Sequence, residues 1–562
     1  MGRFGFLAWA FVSVLALEGI AAQAAGPPCA FPFGIAPTVI KVSDPRADVG
    51  FSQLLGTEER FYCRVRGESY FYDLVHQALR GPFQDGKRNA HLVHIAPDGT
   101  FALGWKAGAD HSGHSIVRYD AKAGKASPRP GEMGKLRFVN FHVSPDGLSF
   151  AGCQPKGGLE RRSLATGKPL VSYQDAGPHA EPNPRCFSPD GRLLVASFRW
   201  KDPSSPRAGA RWHVGIWDAA SGRLLQCFLS VGTTHYRLSP DGRRLYAFVD
   251  KLPFPDDYDD SDERREPMMT DGMSAASSAL LHYEVASGKE VCRRRLPCRF
   301  PKTQLSIASD GRFVAWWTAL GDRKGWEAGP PKVVTLADAW TGQPFKSWML
   351  PECRKIDDLA FIGSGSRLAT SAEGEIHLWD LARFHKRPAA QALGERALAA
   401  LWDDLASDDI AKARAAVRAL ADRPAQAAKL LGPRLHPVPR ATPAEIDASV
   451  RALDSDIQRE RNAASSHLAA LNEATGDAVR KALAAKPSAE AKRRLDALLR
   501  GMARPVTVRD RLRVLRAMEA LENAGGKEAL ALLEKMAGGM PGSIETEEAR
   551  ASVARLEKAK PR

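Results

Sequence analysis

Short hydrophobic, β-rich runs recur along the first two thirds of the chain, and each runs into the same kind of tight turn. In most copies the turn joins a proline that presets φ, an aspartate that can bond its own backbone and a glycine that accepts a positive φ. A second strand-like run then follows. The pattern predicts a repeated β-hairpin. Its five copies are Ala96–Gly99, Ser144–Gly147, Ser188–Gly191, Ser239–Gly242 and Ala308–Gly311.

One unit of the repeat can be followed from Arg185 to Gly222. Two strand-like runs flank the Ser188–Gly191 turn, a third run follows at His213–Asp218, and the chain then turns again at Ala219–Gly222. Units of this kind recur at steps of roughly 45 to 50 residues. One four-stranded sheet cannot bury both of its faces, so neighbouring units must stack around an axis. The repeat therefore predicts a β-propeller.

The third run of two units ends in Trp217-Asp218 and in Trp379-Asp380, and other units keep decayed versions such as Tyr283-Glu284. Together with the turns, this set resembles the WD40 repeat family over about residues 85 to 384. The resemblance implies a propeller and no catalytic residues. Most Gly-His dipeptides of that family are missing, so we do not expect the buried Trp/Ser/Asp/His hydrogen-bond set of well-formed WD40 blades.

The number of blades depends on the segment before the clear repeats. Six units are legible, the last with a degenerate first turn at Gly363–Ser366. Residues 36–84 add strand-like pieces at Thr38–Val42 and Arg60–Val65, which supply either a diverged blade or a strand that clasps the last one. Propellers usually close with four to eight blades. We predict seven, with six as the alternative.

The N-terminus predicts export. Met1-Gly2-Arg3 is basic, Phe4–Leu17 is apolar and Ala22-Gln23-Ala24 is a small-residue cleavage site, as in a secretory signal peptide. The apolar run is short for a membrane span, and an uncleaved anchor is the alternative. We therefore divide the chain into a signal peptide (1–24) and a propeller (25–384). The mature protein is expected to be periplasmic or secreted, with no membrane span.

After Asp380 the composition shifts to Ala, Leu, Arg and Glu, and the hydrophobic period changes from two to 3.6. We predict a linker at 385–395 and an α-helical domain at 396–562. Three helix–break–helix stretches place Leu420, Leu471 and Leu521 at steps of roughly 50 residues, near the period of HEAT-type helix pairs. A plain helical bundle is the alternative.

Another helix in this region has a clear start signal. Thr442 is a good N-cap, Pro443 occupies the first helical position and Glu445 can close a capping box, which predicts a helix from Pro443 to about Ile457 and onwards. The whole layout resembles exported WD40 proteins of planctomycete-type bacteria. The tail stretches that carry this resemblance are Leu453–Asp456, Arg459–Arg461, Pro487–Glu490 and Arg493–Leu495.

The formal net charge of +15 and the pI near 9.5 suit an acidic partner such as a polysaccharide or a phospholipid surface. Arginines are spread over the chain, however, and export makes nucleic acid an unlikely partner. Eight cysteines form no C-x-x-C pair, which argues against a zinc ribbon. Candidate disulfides are Cys29 with Cys63 and Cys292 with Cys298. Cys153, Cys186 and Cys227 are expected to be buried.

The chain carries no H-E-x-x-H, G-x-S-x-G or Walker A motif, and we expect no cofactor or metal. His111 and His114 are a weak metal candidate, because no third ligand has a clear spacing. The acidic residues Asp256, Asp259 and Asp262 belong to a long insertion within one blade. They suit a solvated contact loop better than a Ca²⁺ site, since the EF-hand pattern is absent.

Two further sets are candidate ligand sites. Trp316-Trp317 and Trp200 suggest carbohydrate stacking, although core packing explains them better. His94 and His142 each precede their turn proline by three residues, so they face the same way in two neighbouring units. A propeller-type hydrolase or lyase would use them in its central channel. The preferred interpretation is a non-enzymatic scaffold that binds protein partners, with this enzyme or an acidic-glycan binder as the alternative.

Overall fold

The structure is a computed structural model in which the described residues form a β-propeller followed by an all-α domain. These residues are 38–41, 48–50, 60–65, 68–73, 78–85, 88–89, 91–95, 100–107, 114–126, 138, 140–153, 158–173, 182–200, 211–229, 233–249, 278–296, 305–308, 311–319, 332–340, 342–349, 356–362, 365–372, 375–385, 390–502, 506 and 508–558.

The described strands form seven antiparallel sheets, which are the blades of the propeller. The N-terminal strand is β1 (Thr38–Lys41). Blade 1 consists of β2 (Asp48–Gly50), β3 (Arg60–Val65), β4 (Glu68–Asp73), β5 (Ala78–Asp85) and β6 (Arg88–Asn89). Blade 2 consists of β7 (His91–Ile95), β8 (Phe101–Ala107) and β9 (His114–Asp120). Blade 3 consists of β10 (Asn140–Val143), β11 (Ser149–Cys153), β12 (Leu159–Ser163) and β13 (Pro169–Tyr173).

Blades 4 to 7 continue in chain order. Blade 4 consists of β14 (Asn183–Phe187), β15 (Leu193–Trp200), β16 (Arg211–Asp218) and β17 (Leu224–Leu229), and blade 5 of β18 (Thr233–Leu238), β19 (Arg244–Val249), β20 (Ser278–Glu284) and β21 (Glu290–Leu296). Blade 6 consists of β22 (Leu305–Ile307), β23 (Phe313–Ala319), β24 (Lys332–Asp338) and β25 (Pro344–Met349). Blade 7 contains β26 (Ile356–Ile362), β27 (Arg367–Ala372) and β28 (Glu375–Asp380).

The ring is closed by the N-terminal strand. β1 pairs antiparallel with β28, from Thr38 opposite Leu378 to Lys41 opposite Glu375, and so supplies the fourth strand of blade 7. The inner strand β2 of blade 1 contacts the inner strand β26 of blade 7. Residues 36–84 thus provide both features that the sequence left open, a clasping strand and a diverged blade. The seven-blade prediction is confirmed for the described sheets.

Each turn of the repeat is held by its own side chains. Ser188 Oγ donates to Asp190 Oδ1 (2.6 Å) and accepts from the backbone N–H of Leu193 (2.9 Å). Gly191 has φ +74°, which closes the turn without the strain that another residue would meet. Ser144 and Ser239 pair with the aspartate of their own turns in the same way.

The two turns of a blade lie side by side. Ala219 N–H donates to Arg192 O (2.8 Å), and Val285 N–H donates to Arg243 O (2.8 Å), so the turn after the third strand is bonded to the turn after the first. The end of the propeller that carries both kinds of turn is called the turn face below. Connections between second and third strands lie at the opposite end, because those strands are antiparallel.

The missing Gly-His dipeptides suggested that the tryptophans of the Trp-Asp positions would lack the full hydrogen-bond set of well-formed WD40 blades. Trp379 Nε1 donates to Thr370 Oγ1 (3.0 Å) in blade 7. In blade 4 the matching residue is Ala196, and Trp217 Nε1 has no hydrogen-bond partner among the described residues. Both indoles are buried and pack between blades. The tryptophans are therefore retained mainly as packing groups.

Trp316 and Trp317 are both buried, at 2% and 5% exposure. Strand alternation sends them to opposite faces of blade 6, but a propeller blade is packed on both faces. Core packing, the preferred interpretation of this pair, is therefore confirmed, and the carbohydrate-stacking alternative does not fit Trp316 or Trp317. Nothing is described of the Trp200 side chain. Cys153 and Cys186 are buried as predicted, whereas Cys227 is exposed on the outer strand β17.

The helices follow the last blade. They are α1 (Ala382–His385), α2 (Glu395–Asp404), α3 (Ile410–Ala421), α4 (Pro424–Leu431), α5 (Pro443–Ala452), α6 (Gln458–Ala470), α7 (Gly476–Ala484), α8 (Ala489–Met502), α9 (Arg509–Ala524), α10 (Gly526–Ala537) and α11 (Ile544–Lys558). A 3₁₀ turn at Asn472–Thr475 precedes α7. Among the described helices, none is long and apolar enough to cross a membrane.

The three predicted helix pairs are present as α3 with α4, α6 with α7, and α9 with α10. The capping box forms, since Glu445 N–H donates to Thr442 Oγ1 and Thr442 N–H donates to Glu445. The helix that it starts ends at Ala452, however, and α6 begins only at Gln458. The prediction of one helix through Ile457 is wrong because Ser455 Oγ accepts from the backbone of Ile457 and redirects the chain.

Replacing Ser188 by alanine is expected to destabilise blade 4 by about 1–3 kcal/mol, since the buried N–H of Leu193 loses its acceptor. The urea-unfolding midpoint gives this change. As a matched control, Thr166→Ala on the exposed turn of blade 3 is expected to cost less than about 0.5 kcal/mol. Equal losses for the two variants would contradict a buried structural role for Ser188.

Candidate interaction surface

The helical domain lies on the turn face of blades 4 to 6. Arg516 of α9 forms two hydrogen bonds with Glu284, Nε to Oε1 (3.0 Å) and Nη2 to Oε2 (2.8 Å). Its Nη1 also donates to Leu405 O (2.7 Å) and Ser407 O (3.1 Å). Arg516 and Glu284 are 2% and 4% exposed, so a fully buried ion pair joins the two domains.

Blade 5 contributes two adjacent arginines directly after its turn. Arg243 lies 2.8 Å from Glu522 and 2.9 Å from Glu548, which come from α9 and α11. Arg244 lies 3.3 Å from Asp241 of its own turn and 3.8 Å from Glu519 of α9. The turn therefore positions the two guanidinium groups that receive the helical carboxylates.

Blade 4 continues the same network. Arg192 binds Asp190 at 2.7 Å and reaches Glu548 at 3.4 Å. Arg555 of α11 contacts Asp190 at 3.3 Å and Glu522 at 2.6 Å. The junction network pairs six arginines with six carboxylates: Arg192, Arg243, Arg244, Arg414, Arg516, Arg555, Asp190, Asp241, Glu284, Glu519, Glu522 and Glu548.

Trp340 of blade 6 is stacked between two of these arginines. The guanidinium carbons of Arg244 and Arg414 each lie 4.9 Å from its ring centroid, one from the propeller and one from α3. Arg414 also forms a bidentate pair with Glu519 at 2.6 and 2.7 Å. The surrounding apolar core is continuous across the two domains, from Tyr246 to Leu420. Apolar burial and paired charge thus act at one surface.

The arginines of the network lower the pKa of two of its helical carboxylates, Glu548 and Glu519. Burial would raise the pKa of Glu548, but Arg243, Arg192 and Arg555 outweigh that effect and lower the pKa to about 2. The pKa of Glu519 is also lowered, because Arg414, Arg244 and Arg243 overcome its burial. The lowered pKa values keep Glu548 and Glu519 charged at neutral pH.

Two clefts lie between the domains beside the network. The first has a volume of about 110 Å³ and the second about 270 Å³, and Arg223 and Leu225 line both. No histidine, cysteine or hydroxyl side chain of the described residues lines either cleft. The described residues also contain no group of three metal-ligating side chains. The titratable acidic groups that line the clefts are carboxylates, and several of them, such as Glu284, Glu519 and Glu548, are held in ion pairs with arginines.

The predicted contact residues Asp256, Asp259 and Asp262 lie outside the described residues. So do His111 and one cysteine of each candidate disulfide, and nothing is described of the His114 side chain. β19 ends and β20 begins at the end of blade 5 opposite the turn face.

His94 and His142 occupy the same register position in neighbouring blades, opposite Leu103 and Ala151. His94 is 2% exposed, whereas His142 is half-buried. Burial, Arg237 and Arg185 lower the pKa of His142 to about 3. A general base works best with a pKa near the working pH, so this environment is poorly suited to that role.

The junction residues were not found from the sequence, although signals for them exist. An arginine follows the turn glycine at Arg192 and Arg243, and Glu284 stands where most blades have aspartate. Charged residues also interrupt the apolar face of α9 at Arg516 and Glu519, which are both buried. Buried charges on a helix need partners, and this requirement points to a docking face.

No family model matches the chain, and no curated protein matches it. Among solved structures, the hydrazine synthase of Kuenenia stuttgartiensis is similar with 14% identity and a TM-score of 0.40, covering 61% of this chain and 97% of that one. The β-propeller domain of Myceliophteria thermophila Cps50 (Swd1) has 11% identity and a TM-score of 0.39, and the similarity covers 61% of this chain and 99% of that one. A chain of a mitotic checkpoint complex has 10% identity and a TM-score of 0.38, and the similarity covers 61% of this chain and 91% of that one. We draw no function from these similarities.

Removing one member of the buried pair, as in Glu284→Met or Arg516→Met, is expected to cost about 3–5 kcal/mol because the other charge stays buried and unpaired. The double variant is expected to be much less destabilised than the sum of the two. Unfolding by urea measures all three. Lys289→Met, at the exposed pair with Asp408, is a control that should cost less than about 1 kcal/mol. Additive losses would show that Glu284 and Arg516 act independently.

Acid is expected to destabilise the propeller through His142. The native state keeps this ring neutral down to about pH 3, whereas in the unfolded chain the ring binds a proton below its ordinary pKa of 6.5. Stability is therefore lost as the pH falls from 6.5 towards 3. Melting temperatures of wild type and His142→Gln over this range check the effect, because the variant should fall less steeply. Identical slopes would contradict the lowered pKa.

Proposed function

We propose that this protein is a non-enzymatic scaffold that binds other proteins outside the cytoplasm. The observation that carries the proposal is the junction network, which fixes the helical domain on blades 4 to 6 through buried pairs such as Glu284–Arg516. Breaking such pairs is expensive, so the two domains act as one rigid body. A rigid body holds several surfaces at fixed distances, which is what a scaffold requires.

The partner side of the scaffold is proposed to be the end opposite the turn face. Blades 4 to 6 each join their second and third strands there by a long connection, 201–210, 250–277 and 320–331. Long connections on a rigid framework are common binding elements. The acidic residues Asp256, Asp259 and Asp262 belong to the longest of them and are proposed as contacts for a basic protein surface.

The finer parts of the proposal rest on the sequence. The basic, apolar and small-residue order of residues 1–24 supports export to the periplasm or beyond. The recurrence of Leu420, Leu471 and Leu521 supports a HEAT-like relationship among the helix pairs, and the tail stretches support kinship with planctomycete-type exported WD40 proteins. The absence of catalysis is proposed because the described clefts lack a histidine, cysteine or hydroxyl side chain, their central carboxylates are paired with arginines, and the lowered pKa of His142 does not suit a general base.

Crosslinking in the native envelope fraction, followed by affinity purification and mass spectrometry, tests the proposal. We expect a reproducible protein partner whose crosslinks map to the long connections. The triple variant Asp256→Asn/Asp259→Asn/Asp262→Asn should reduce its capture by at least about fivefold, since the complementary charges are removed. A matched control, Asp447→Asn/Asp477→Asn/Asp510→Asn, removes three exposed acidic groups from the helical domain and should leave capture unchanged.

An enzyme would give a different result. A broad hydrolase and lyase panel is run on the wild type and on His94→Ala/His142→Ala. Turnover that disappears in this variant would overturn the scaffold proposal, as would retention of a glycan in place of any protein. No turnover in either protein, together with mapped protein crosslinks, supports it.

A further inference from the structure

Blade 3 breaks the pattern of the turn face at one position. The residue after the turn glycine is arginine in blades 4, 5 and 6, and two of these, Arg192 and Arg243, bind Glu548 of the helical domain. In blade 3 the same position is Leu148, which is 69% exposed. A second leucine of this blade, Leu170 in the outer strand, is 55% exposed. The helical domain covers neither.

The two leucines lie at the same end of the blade. Leu148 O accepts from Leu164 N–H (3.0 Å) at the start of the turn that leads to β13, and Pro169 pairs with Arg162 just before Leu170. Leu148 directly precedes β11 and Leu170 lies in β13, and because these strands flank β12, at least about two strand spacings, roughly 10 Å, separate the two leucines. One face of a helix can contact both.

Exposed cations lie on the turn face of blades 2 and 3, the same face as these leucines. Lys122, Lys125 and Lys168 are exposed on the turns that follow the third strands of blades 2 and 3, and within the described part of the chain none of them has an ion-pair partner. The neighbouring carboxylates are engaged by backbone, Asp120 by the N–H groups of its turn and Asp146 by Leu148 N–H. This part of the turn face therefore carries two exposed leucines and three lysines that no carboxylate of the described residues pairs with, beside two carboxylates held by backbone N–H groups.

The adjoining helical domain limits what can reach this part of the turn face. Blade 3 is bonded directly to blade 4 through Arg161 Nη1 and Tyr173 Oη, which both donate to Ala219 O. Blade 4 in turn carries α11, which stands on the turn face through Arg555 and Glu548. A flat bilayer approaching the turn face meets the helical domain first. The uncovered turn face of blade 3 beside the helical domain forms a step, and a single helix fits into this step.

We propose that blade 3 binds an acidic amphipathic helix of a partner protein in this step, with apolar side chains on Leu148 and Leu170 and carboxylates on the three lysines. The surface continues the one on which α11 already places Glu548 against the blade-4 and blade-5 arginines. The inference names a partner chemistry for the scaffold and so rests on the proposed function. It adds a second binding face to the one formed by the long connections.

The probe is a fluorescein-labelled peptide of about 18 residues, roughly five helical turns, with leucines at i, i+4 and i+7 spacing and glutamates elsewhere. A scrambled peptide of identical composition is its control. Fluorescence anisotropy with the full chain should show binding of the patterned peptide only. Binding is expected to weaken at least about tenfold in Leu148→Glu/Leu170→Glu. It should weaken and lose salt dependence in Lys122→Gln/Lys125→Gln/Lys168→Gln.

The control protein is Ile457→Glu, which changes a 56% exposed apolar residue of the helical domain and should bind like wild type. Equal binding of both peptides, or unchanged binding by the double leucine variant, would overturn the inference. So would co-sedimentation with phosphatidylglycerol vesicles that depends on Leu148 and Leu170, because the ligand is then a membrane. Protein partners mapped to the long connections, without peptide binding, would leave the scaffold standing and remove only this second face.

Discussion

The pairing of buried charge at the domain junction is the constraint on which the rest of the molecule depends. A guanidinium taken out of water is tolerable only when carboxylates and carbonyls replace its hydration, and this requirement is directional. Arg516 meets it with Glu284 on one side and the carbonyl of Leu405 on the other. Any rotation of the helical domain against the propeller would break both bonds to Glu284, whereas Leu405 belongs to the same domain as Arg516 and moves with it. Charge pairing therefore determines orientation, while the shared apolar core contributes most of the adhesion.

The propeller turns make this pairing available because their acidic residues both hold the turn and bind an arginine of the helical domain. Asp190 accepts from Ser188 with one oxygen, which holds the turn, and contacts Arg555 with the other. Glu284 also has two uses in blade 5, where its Oε2 accepts from Ser287 and from Arg516 Nη2, while its Oε1 accepts from Arg516 Nε. In blade 4 an aspartate stands at the position that matches Glu284, and a glutamate side chain is one methylene longer. The apparent decay of the repeat in blade 5 is thus consistent with a longer reach towards α9.

Much of the fold could be predicted from the sequence because it depends on local patterns. Proline, aspartate and glycine specify their turns wherever they occur, and the change of hydrophobic period marks the start of the helical domain. The junction depends on pairs such as Arg192 with Glu548, which are 356 residues apart. No local rule connects them, and a single sequence gives no covariation. Strand alternation alone does not show that Trp316 and Trp317 are both buried, since burial on both faces is a property of the assembled ring.

The choice of arginine over lysine agrees with a permanent junction. All six cations of the junction network are arginines, whereas the pair between Lys289 and Asp408, both well exposed, marks its edge. A guanidinium is planar, stays charged when buried and can bind a carboxylate through two parallel bonds, as Arg414 does with Glu519. It also stacks on an indole, as two arginines do on Trp340. Lysine can do none of this as well and is more easily neutralised on burial. A contact built in this way favours one fixed arrangement of propeller and helices, so binding at one surface of the protein would position whatever binds at another.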